Sequence, residues 1–281
     1  ICQNNLILFL FLFFTEPSVK WNDYDSLIAI EEQDTSWDLL IFTQQWPNTV
    51  CKDWTNHDPK HQCFLPQNPD SWTIHGVWPT KLGTIGPGFC NRTWHFDPEQ
   101  IKPIENSLMQ YWTDIEDGKT SYNFWAHEWT KHGTCAAVLE SLNSEFKYFS
   151  LGLKWLGNFS MDGILSQANI IPDDVKQYAA PEIFNAIKKK LGVNPHIVCR
   201  KENGKSWLLE LRICFSKKLE LMDCDGIRRT STNNIMQTNC DPSQGVIYPK
   251  TLGPYIPEVR PSNHIYVQLY KFVTWLQWFT L

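Results

Sequence analysis

The sequence predicts a single α+β domain over about residues 36–260. Short segments with the apolar pattern of strands and longer segments with helical spacing both occur, and no repeat or low-complexity linker divides them. The 281 residues are 42% hydrophobic and 14% aromatic, which is enough apolar material for one substantial core or two small ones. This composition excludes a disordered chain. It also excludes a multi-span membrane protein, because no apolar run reaches the roughly 20 residues that cross a bilayer.

The first half of the predicted domain begins with two strands. Residues 38–46 read as a buried strand that ends at Pro47, and residues 72–78 read as a second strand. Pro79 and the glycine-rich loop 83–88 are expected to stop the second strand. Loops rich in Asn, Asp and Pro are expected between the strands as far as Asp70, and they hold Cys51 and Cys63.

Helical spacing follows over residues 97–112, 124–140, 144–155 and 181–191. Asp97 is the expected N-cap of the first helix, with Pro98 at its first position. The last helix should close at Gly192 after three lysines, which are favourable at the negative end of a helix dipole. Strands over residues 197–200, 207–215 and 219–222 complete the expected elements.

Both ends of the chain fall outside the predicted domain. Residues 1–15 contain the uncharged apolar run LILFLFLFF, which is typical of a secretory signal peptide whose positively charged start is missing. A buried N-terminal strand is the alternative. Residues 16–35 form a polar lead-in within which the mature start is left open, and residues 261–281 are an apolar C-terminal extension of unknown role.

The cysteines predict a disulfide framework. Of the nine cysteines, Cys2 would leave with the signal peptide, and an even set in an exported protein favours disulfides. The spacing alone leaves 105 pairings open. Sequons at Asn91 and Asn158 predict N-glycosylation, which is consistent with a secreted or lysosomal protein. The remaining cysteines are Cys51, Cys63, Cys90, Cys135, Cys199, Cys214, Cys224 and Cys240.

The charge balance predicts an acidic working range for any activity on a polyanion. The net charge is −5 at pH 7, which excludes a standing basic field for nucleic acid at that pH. Protonation of all eight histidines changes this formal charge from −5 to +3. Because an unperturbed histidine has a pKa of about 6.5, the optimum is expected around pH 5.

The first of two chemically informative segments is WTIHGVWP, residues 72–79. In a regular strand Trp72, Ile74 and Gly76 would face one way, and His75 and Val77 the other. His75 would then project from a rigid element, opposite a face that packs inward. A lone strand histidine is more often structural than catalytic, so the second segment decides the interpretation.

The second segment is FWAHEWTKHGTC, residues 124–135. At 100° per residue its polar side chains fall within an arc of about 140° on one helix face. A solvated charged face is the simpler interpretation, but Trp125 and Trp129 flank the polar residues and would partly desolvate them. The clustered residues are His127, Glu128, Lys131, His132 and Cys135.

This cluster differs from a zinc-binding H-E-x-x-H motif. Its second histidine stands at i+5, and Lys131 occupies the i+4 place. An ammonium repels a divalent cation, so neither a metal nor another cofactor is expected. Two histidines with a lysine and a carboxylate suit phosphodiester cleavage, in which one imidazole takes a proton and the other supplies one. A ribose 2′-hydroxyl is the natural internal nucleophile, so the expected substrate is single-stranded RNA and DNA should be inert.

The two segments resemble the two active-site segments of the ribonuclease T2 family. Gln44-Gln45-Trp46-Pro47 with Cys51 resembles the first strand of that family, and residues 90–94 resemble its disulfide-bearing loop. Residues 142–149 and 199–240 look like those of the animal secreted members. The resemblance covers about residues 36–250 and includes neither the N-terminal lead-in nor the tail after about residue 257.

The resemblance implies a role for each matching residue. His75, Glu128 and His132 become the catalytic set, with His132 as general base and His75 as general acid. The phosphate and the transition state would be held by His127, Lys131 and Trp78, and a base would be contacted by Gln45 and Phe124.

The resemblance also implies a fold and a set of partners. The fold would be a central antiparallel sheet flanked by helices, stapled by disulfides between Cys51 and Cys63, Cys90 and Cys135, Cys199 and Cys240, and Cys214 and Cys224. The protein would be a monomeric endoribonuclease without stable membrane association. Two alternatives stay open, namely a secreted glycoprotein that acts as a binding or signalling protein on the same scaffold, and a phosphodiesterase of small cyclic nucleotides.

Overall fold

The computed structural model describes residues 35–58, 60–84, 86–116, 121–227 and 236–252. The predicted signal peptide (residues 1–15), the lead-in apart from Thr35, and the C-terminal extension (residues 261–281) lie outside these ranges. No helix of the described ranges combines the length and the apolar character that a membrane crossing requires.

The described part of the chain folds around one mixed sheet. Its main strands are β1 (Leu39–Gln45), β2 (Thr73–Thr80), β4 (His196–Glu202) and β5 (Lys205–Ser216). Short strands β3 (Gln177–Tyr178), β6 (Leu221–Met222), β7 (Gln237–Thr238) and β8 (Val246–Ile247) extend it. The order β2-β1-β5-β4-β7 places β1 and β5 at the centre, and every residue of β1 is buried.

The α+β prediction with a central antiparallel sheet is confirmed. The pairs β1–β2, β1–β5 and β4–β5 are all antiparallel. Two short parallel pairings, β4–β7 and β5–β8, add to this pattern. The second strand continues through Pro79 to Thr80, beyond the stop that the sequence predicts at that proline. A proline is tolerated there because β2 is an edge strand, so its missing N–H breaks no central ladder.

Helices cover the sheet and connect its strands. They are α1 (Pro47–His57), α2 (Glu105–Tyr111), α3 (Tyr122–Glu128), α4 (Thr134–Ala136), α5 (Glu145–Asn158), α6 (Met161–Ser166) and α7 (Ala180–Leu191). Short 3₁₀ segments span Pro98–Ile104 and Glu140–Leu142. The N-cap oxygen of Asp97 accepts a hydrogen bond from the N–H of Glu99, as the sequence predicts. The following turns are 3₁₀ rather than α, and Pro103 within them lacks the N–H of an α-helical hydrogen bond.

Helix α1 corrects the loop predicted after Pro47. Its proline occupies the first helical turn, where a missing N–H costs nothing. Its interior contains polar Asn, Thr, Lys and Asp residues, which hide the apolar spacing from a sequence pattern. The helix is pinned at Cys51, which is bonded to Cys63.

Two buried aromatic side chains hold the backbone of β2 at His75 and at Val77. The indole Nε1 of Trp112 donates to the carbonyl oxygen of His75 at 2.9 Å, and the hydroxyl of Tyr148 donates to the carbonyl oxygen of Val77 at 2.8 Å. Trp112 and Tyr148 are both fully buried. The strand that carries the first predicted site segment is therefore held rigidly by buried aromatic side chains.

The disulfides of the structure are the predicted pairs. Cys51 bonds to Cys63, Cys90 to Cys135, Cys199 to Cys240, and Cys214 to Cys224. Two of these bonds, at Cys199 and Cys214, fasten the central strands β4 and β5 to the C-terminal part of the domain. The Cys90–Cys135 bond joins the loop after β2 to α4.

Candidate active site

The strand that presents His75 carries a β-bulge at that residue. Thr43 of β1 pairs with Gly76, whereas the next residue, Gln44, pairs with Ile74. His75 is therefore the extra residue of β2. Bulges increase the local twist of a strand and redirect its side chains, and they occur often beside active sites.

The bulge changes which side chains share a face. Ile74 and Val77 both pack in the hydrophobic core, although they are an odd number of residues apart. Gly76 instead faces Trp78 on the side of the site. The prediction that His75 and Val77 face the same way is therefore wrong, because it assumed a regular strand. The His75 side chain remains at the site surface with one-third of its area exposed (33%).

The second predicted segment is one continuous helix with an irregular turn. After α3 the chain makes a π-helical turn over Trp129–Gly133, in which the N–H of Thr134 donates to the carbonyl oxygen of Trp129. A π turn holds one more residue than an α turn, so each residue rotates the chain by less than 100°. The arc that separates Glu128 from His132 is correspondingly narrower than a regular helix would make it.

Trp78 connects the two segments. Its indole Nε1 donates to Glu128 Oε2 at 2.9 Å, and its ring lies 4.9 Å from the His75 ring and 5.5 Å from the His132 ring between centroids. Glu128 is almost completely buried (2% exposed). Four of the predicted site residues, His75, Trp78, Glu128 and His132, are thus brought together around one indole.

His127 and Lys131 lie beside this group, next to the loop that follows β2. The N–H of Phe89 donates to the carbonyl oxygen of Lys131 at 2.9 Å, and the Phe89 ring lies 6.4 Å from that of His127. The adjacent Cys90–Cys135 bond holds this loop against the helix. The disulfide therefore stabilises the position of His127 and Lys131 relative to the loop.

A cavity of about 470 Å³ opens beside His75 and contains both predicted base-binding residues, Gln45 and Phe124. The Phe124 ring is 6.0 Å from the His75 ring. Trp54 and His61 form part of its wall and stack in parallel at 3.5 Å. Sequence reasoning missed Trp54 because α1 was predicted to be a loop, and it missed His61, which lies in the loop after α1. It also missed other lining residues, including Asp114 and Glu116.

Sequence reasoning also missed two residues of the central strand β5, Glu210 and Arg212. Glu210 Oε1 is 2.6 Å from His75 Nδ1, and Arg212 donates to the other oxygen of Glu210 from Nε at 2.9 Å and from Nη2 at 2.5 Å. A usable signal was present in the sequence, since opposite charges two residues apart in an otherwise apolar strand must share one face. Their partner on β2 could not be read from that local pattern.

The two sequons lie at exposed positions. Asn91 is in the loop after Cys90, where its Oδ1 accepts a hydrogen bond from the Thr93 hydroxyl at 2.8 Å, and Asn158 ends α5. Both side chains are accessible to a glycosylating enzyme. Glycosylation itself stays a prediction.

The histidines of the helix have lowered pKa values. Burial is the largest cause for both His127 and His132, and the Lys131 ammonium adds to it. The pKa of His132 lies well below its ordinary range, in the direction that the sequence predicts from Lys131. The Nδ1 atom of His132 is buried and has no hydrogen-bond partner among the described residues. The neutral imidazole of His132 is therefore favoured over a wider range of acidic pH than in an unperturbed histidine.

The pKa of His75 is shifted in the opposite direction, above its ordinary value. Burial alone would lower its pKa, but the hydrogen bond and the negative charge of Glu210 outweigh this effect and raise it. The pKa of Glu210 is lowered to about 2: burial opposes the shift, and Arg212 and His75 more than compensate. His75 is therefore an imidazolium in the same acidic range.

Glu128 is the third titrating group of the site. Burial raises its pKa to about 7, although His75, Trp78 and Lys131 act against the shift. Its carboxyl group is thus protonated under acidic conditions. One neutral and one protonated imidazole beside a protonated carboxyl group form a set that can both accept and donate protons. No group of three or more His, Cys, Asp or Glu with the arrangement of a metal site occurs in the part of the chain that the structure describes.

The chain is similar to known proteins over most of its described length. A sequence model described as the Ribonuclease T2 family matches residues 37–224. The chain is 34% identical over 217 residues to Ribonuclease Oy of Magallana gigas, an alignment that covers 76% of this chain and 96% of that protein. The crystal structure of human RNase T2 is 33% identical with a TM-score of 0.61, covering 76% of this chain and 98% of that one. RNase NT in complex with 5′-AMP is 25% identical with a TM-score of 0.62, covering 76% and 98%.

Proposed function

The chain belongs to the ribonuclease T2 family and is an endoribonuclease of that type, and from this premise we propose how it acts. It cleaves single-stranded RNA without a metal ion, first to 2′,3′-cyclic phosphates and then to 3′-phosphates. The catalytic set is His75, Glu128 and His132, within a catalytic domain of about residues 36–260. The observation that carries this proposal is the opposite pKa shift of two histidines on either side of Trp78.

In the first step the neutral His132 takes the proton of a ribose 2′-hydroxyl. The 2′-oxygen attacks the adjacent phosphorus, and the bond from phosphorus to the 5′-oxygen of the next nucleotide breaks. The protonated His75 supplies a proton to that leaving oxygen. The products are a 2′,3′-cyclic phosphate and a new 5′-hydroxyl, and the two histidines have exchanged protonation states.

In the second step water replaces the departed nucleotide. His75, now neutral, takes a proton from the water, whose oxygen attacks the cyclic phosphate. His132, now protonated, returns its proton to the 2′-oxygen as that bond breaks. This step yields a 3′-phosphate and restores both histidines to their starting state, as microscopic reversibility requires.

The other polar groups stabilise the phosphate. Lys131 and His127 lie beside the catalytic set and supply charge and hydrogen bonds to its non-bridging oxygens. The pKa of about 7 at Glu128 supports a protonated carboxyl group that donates to the phosphate. Trp78 donates to one oxygen of Glu128, which leaves the other oxygen to carry that proton.

The cavity beside His75 receives a base that has left its stack. Phe124 offers a ring face, and Gln45 offers an amide for hydrogen bonding. A base in a duplex cannot enter such a cavity without unpairing, so unpaired RNA is preferred. DNA is not a substrate, because it lacks the 2′-hydroxyl.

The disulfides and the two sequons bear on the compartment in which the enzyme acts. The four disulfides and the exposed Asn91 and Asn158 support export to the cell exterior or to the lysosomal lumen. The enzyme acts there as a glycosylated monomer without stable membrane association.

The test is an assay of the purified protein on poly-U and the other homopolymers, with and without EDTA, from pH 4 to pH 8. We expect cleavage in EDTA, a cyclic phosphate that appears before the 3′-phosphate, and a bell-shaped profile with its maximum near pH 5. A loss of activity in EDTA that zinc restores would contradict the two-histidine mechanism. A profile of kcat/KM that peaks above pH 7.5 would contradict the assigned protonation states.

A further inference from the structure

A buried ion pair of Glu210 and Arg212 stands directly behind His75. Both residues lie on the central strand β5, two positions apart, so their side chains leave the same face. The Glu210 side chain is 7% exposed and that of Arg212 is 16% exposed. One carboxylate oxygen of Glu210 contacts His75 Nδ1 at 2.6 Å, and the other receives both Arg212 hydrogen bonds. The carboxylate is thus shared between a fixed cation and a titrating imidazole.

We propose that Glu210 is a positioning residue, which fixes the orientation and the tautomer of His75, and that Arg212 balances the charge of Glu210. This inference rests on the proposed function, since it assigns a purpose to Glu210 only if His75 is the general acid. The motif segments around His75 and His132 contain neither residue.

The hydrogen bond decides which nitrogen of His75 reacts. A carboxylate accepts but does not donate, so Nδ1 must carry a hydrogen when it contacts Glu210. Nε2 is then the nitrogen that exchanges a proton with the substrate. When the Nε2 proton passes to the leaving 5′-oxygen, the Nδ1–H stays bonded to Glu210, and the imidazole becomes neutral without turning.

Six charged or titratable groups act on His75 or respond to its charge. From the α3 helix and its π turn these are His127, Glu128 and His132. Glu116 acts from the loop after α2, and Glu210 and Arg212 act from β5. Among them only Glu210 makes a hydrogen bond to the imidazole in the described structure. Glu128, with a pKa of about 7, is uncharged in the acidic range, so Glu210 is the nearby anion that persists there.

Arg212 keeps that anion charged and also connects it to the rest of the site. Burial alone would raise the pKa of Glu210, but the positive charge of Arg212, together with the hydrogen bond and charge of His75, lowers it to about 2. The guanidinium carbon of Arg212 lies 5.1 Å from the centroid of the Trp78 ring. Trp78 in turn holds Glu128. The ion pair therefore supports both the general acid and the indole around which the site is arranged.

The principal test is the variant Glu210→Gln, with Glu202→Gln as the matched control. Glu202 is an equally buried glutamate of the same sheet, paired with Lys52 at 3.8 Å and remote from His75. Two readouts are needed: the kcat/KM profile on poly-U, and the pKa of His75 from NMR titration. We expect Glu210→Gln to lower the pKa of His75, to move the basic limb of the profile to lower pH, and to reduce kcat/KM at pH 6 by about 10–100-fold. Glu202→Gln should change neither readout.

A second variant is expected to shift the basic limb of the pH profile in the opposite direction. Arg212 lowers the pKa of His75 through its positive charge, so Arg212→Gln should move the basic limb to higher pH. A merely structural role of the ion pair would not move the limb in opposite directions. If Glu210→Gln fails to fold, Glu210→Asp takes its place. It keeps the charge on a shorter side chain, so its contact with His75 Nδ1 should be weaker. The pKa of His75 should then fall, but by less than is expected for Glu210→Gln.

The outcomes separate this inference from the proposed function. An unchanged pKa of His75 and an unchanged profile in both the Glu210 and Arg212 variants would overturn the inference, provided that His75→Phe is inactive. Full activity of His75→Phe would instead overturn the proposed function itself.

Discussion

Gly76→Ala adds a single methyl group, and the structure predicts a large effect from it. A Cβ atom at this position would lie 2.1 Å from Trp78 Nε1 and 2.2 Å from Glu128 Oε2, so it would clash with both partners of their hydrogen bond. Ordinary van der Waals contact begins at 3.4 Å, so the indole must move by about 1.3 Å. Neither neighbour can yield freely, because Glu128 is buried and the Trp78 ring lies between His75 and His132.

The displacement should affect both stability and activity. Overpacking of this kind costs about 1–3 kcal/mol of the free energy of unfolding. A shift of about 1 Å in a catalytic constellation can lower the rate about 10²-fold. We therefore expect Gly76→Ala to lower kcat/KM on poly-U by at least about 10²-fold and to lower Tm by several degrees.

The matched control is Gly157→Ala in α5, where an added Cβ meets nothing within 4 Å. Alanine is the better helix former by about 0.5–1 kcal/mol, so this variant should be slightly more stable and fully active. Thermal unfolding and steady-state cleavage of poly-U measure both quantities. A Gly76→Ala enzyme with wild-type kcat/KM and Tm would refute the view that contact between Trp78 and Glu128 organises the site.

Three further predictions concern the same group of residues. His75→Phe removes the general acid and should lower kcat/KM about 10²–10⁴-fold in the cleavage assay; undiminished activity would contradict the assignment. The raised pKa of Glu128 means that the native state binds more protons than the unfolded state between pH 4.5 and about 7, so stability falls as the pH rises through this window. Calorimetry of Glu128→Gln from pH 5 to pH 8 should show a smaller fall than the wild type, and an equal fall would disprove the shift. Replacing both Cys90 and Cys135 by Ala should lower the free energy of unfolding by about 2–4 kcal/mol in a denaturant titration, and an unchanged midpoint would contradict a structural role for this bond.

The sequence predicts the parts of this site that are local. His127, Glu128, Lys131 and His132 share one helical stretch, so their spacing alone brings them to one face. The contact of Glu210 with His75 joins residues that are 135 positions apart, and no local pattern contains such a pairing. The sheet order supplies it, because β1 lies between β2 and β5 and brings their faces to the same side.

The irregular elements could not be predicted from the sequence, for a related reason. The bulge at His75 and the π turn at Trp129–Gly133 each depart from a periodic template by one residue. Strict alternation and a rotation of 100° per residue hold only for that template, so a regular strand misplaces Val77 and a regular helix has too wide an arc. Helix α1 was missed because its buried side chains include Asn48 and Thr49, which do not register as apolar.

The π turn and the disulfide that follows it act on the same part of the site. His132 lies within the turn and Cys135 follows it, so the winding of the turn sets the position of both residues relative to His127 and Glu128. The Cys90–Cys135 bond therefore anchors the chain directly after the turn whose winding places His132 beside the indole of Trp78. A covalent bond that takes no part in the cleavage of RNA thus joins the far end of the π turn to the loop after β2 and supports the position of His132 in the site.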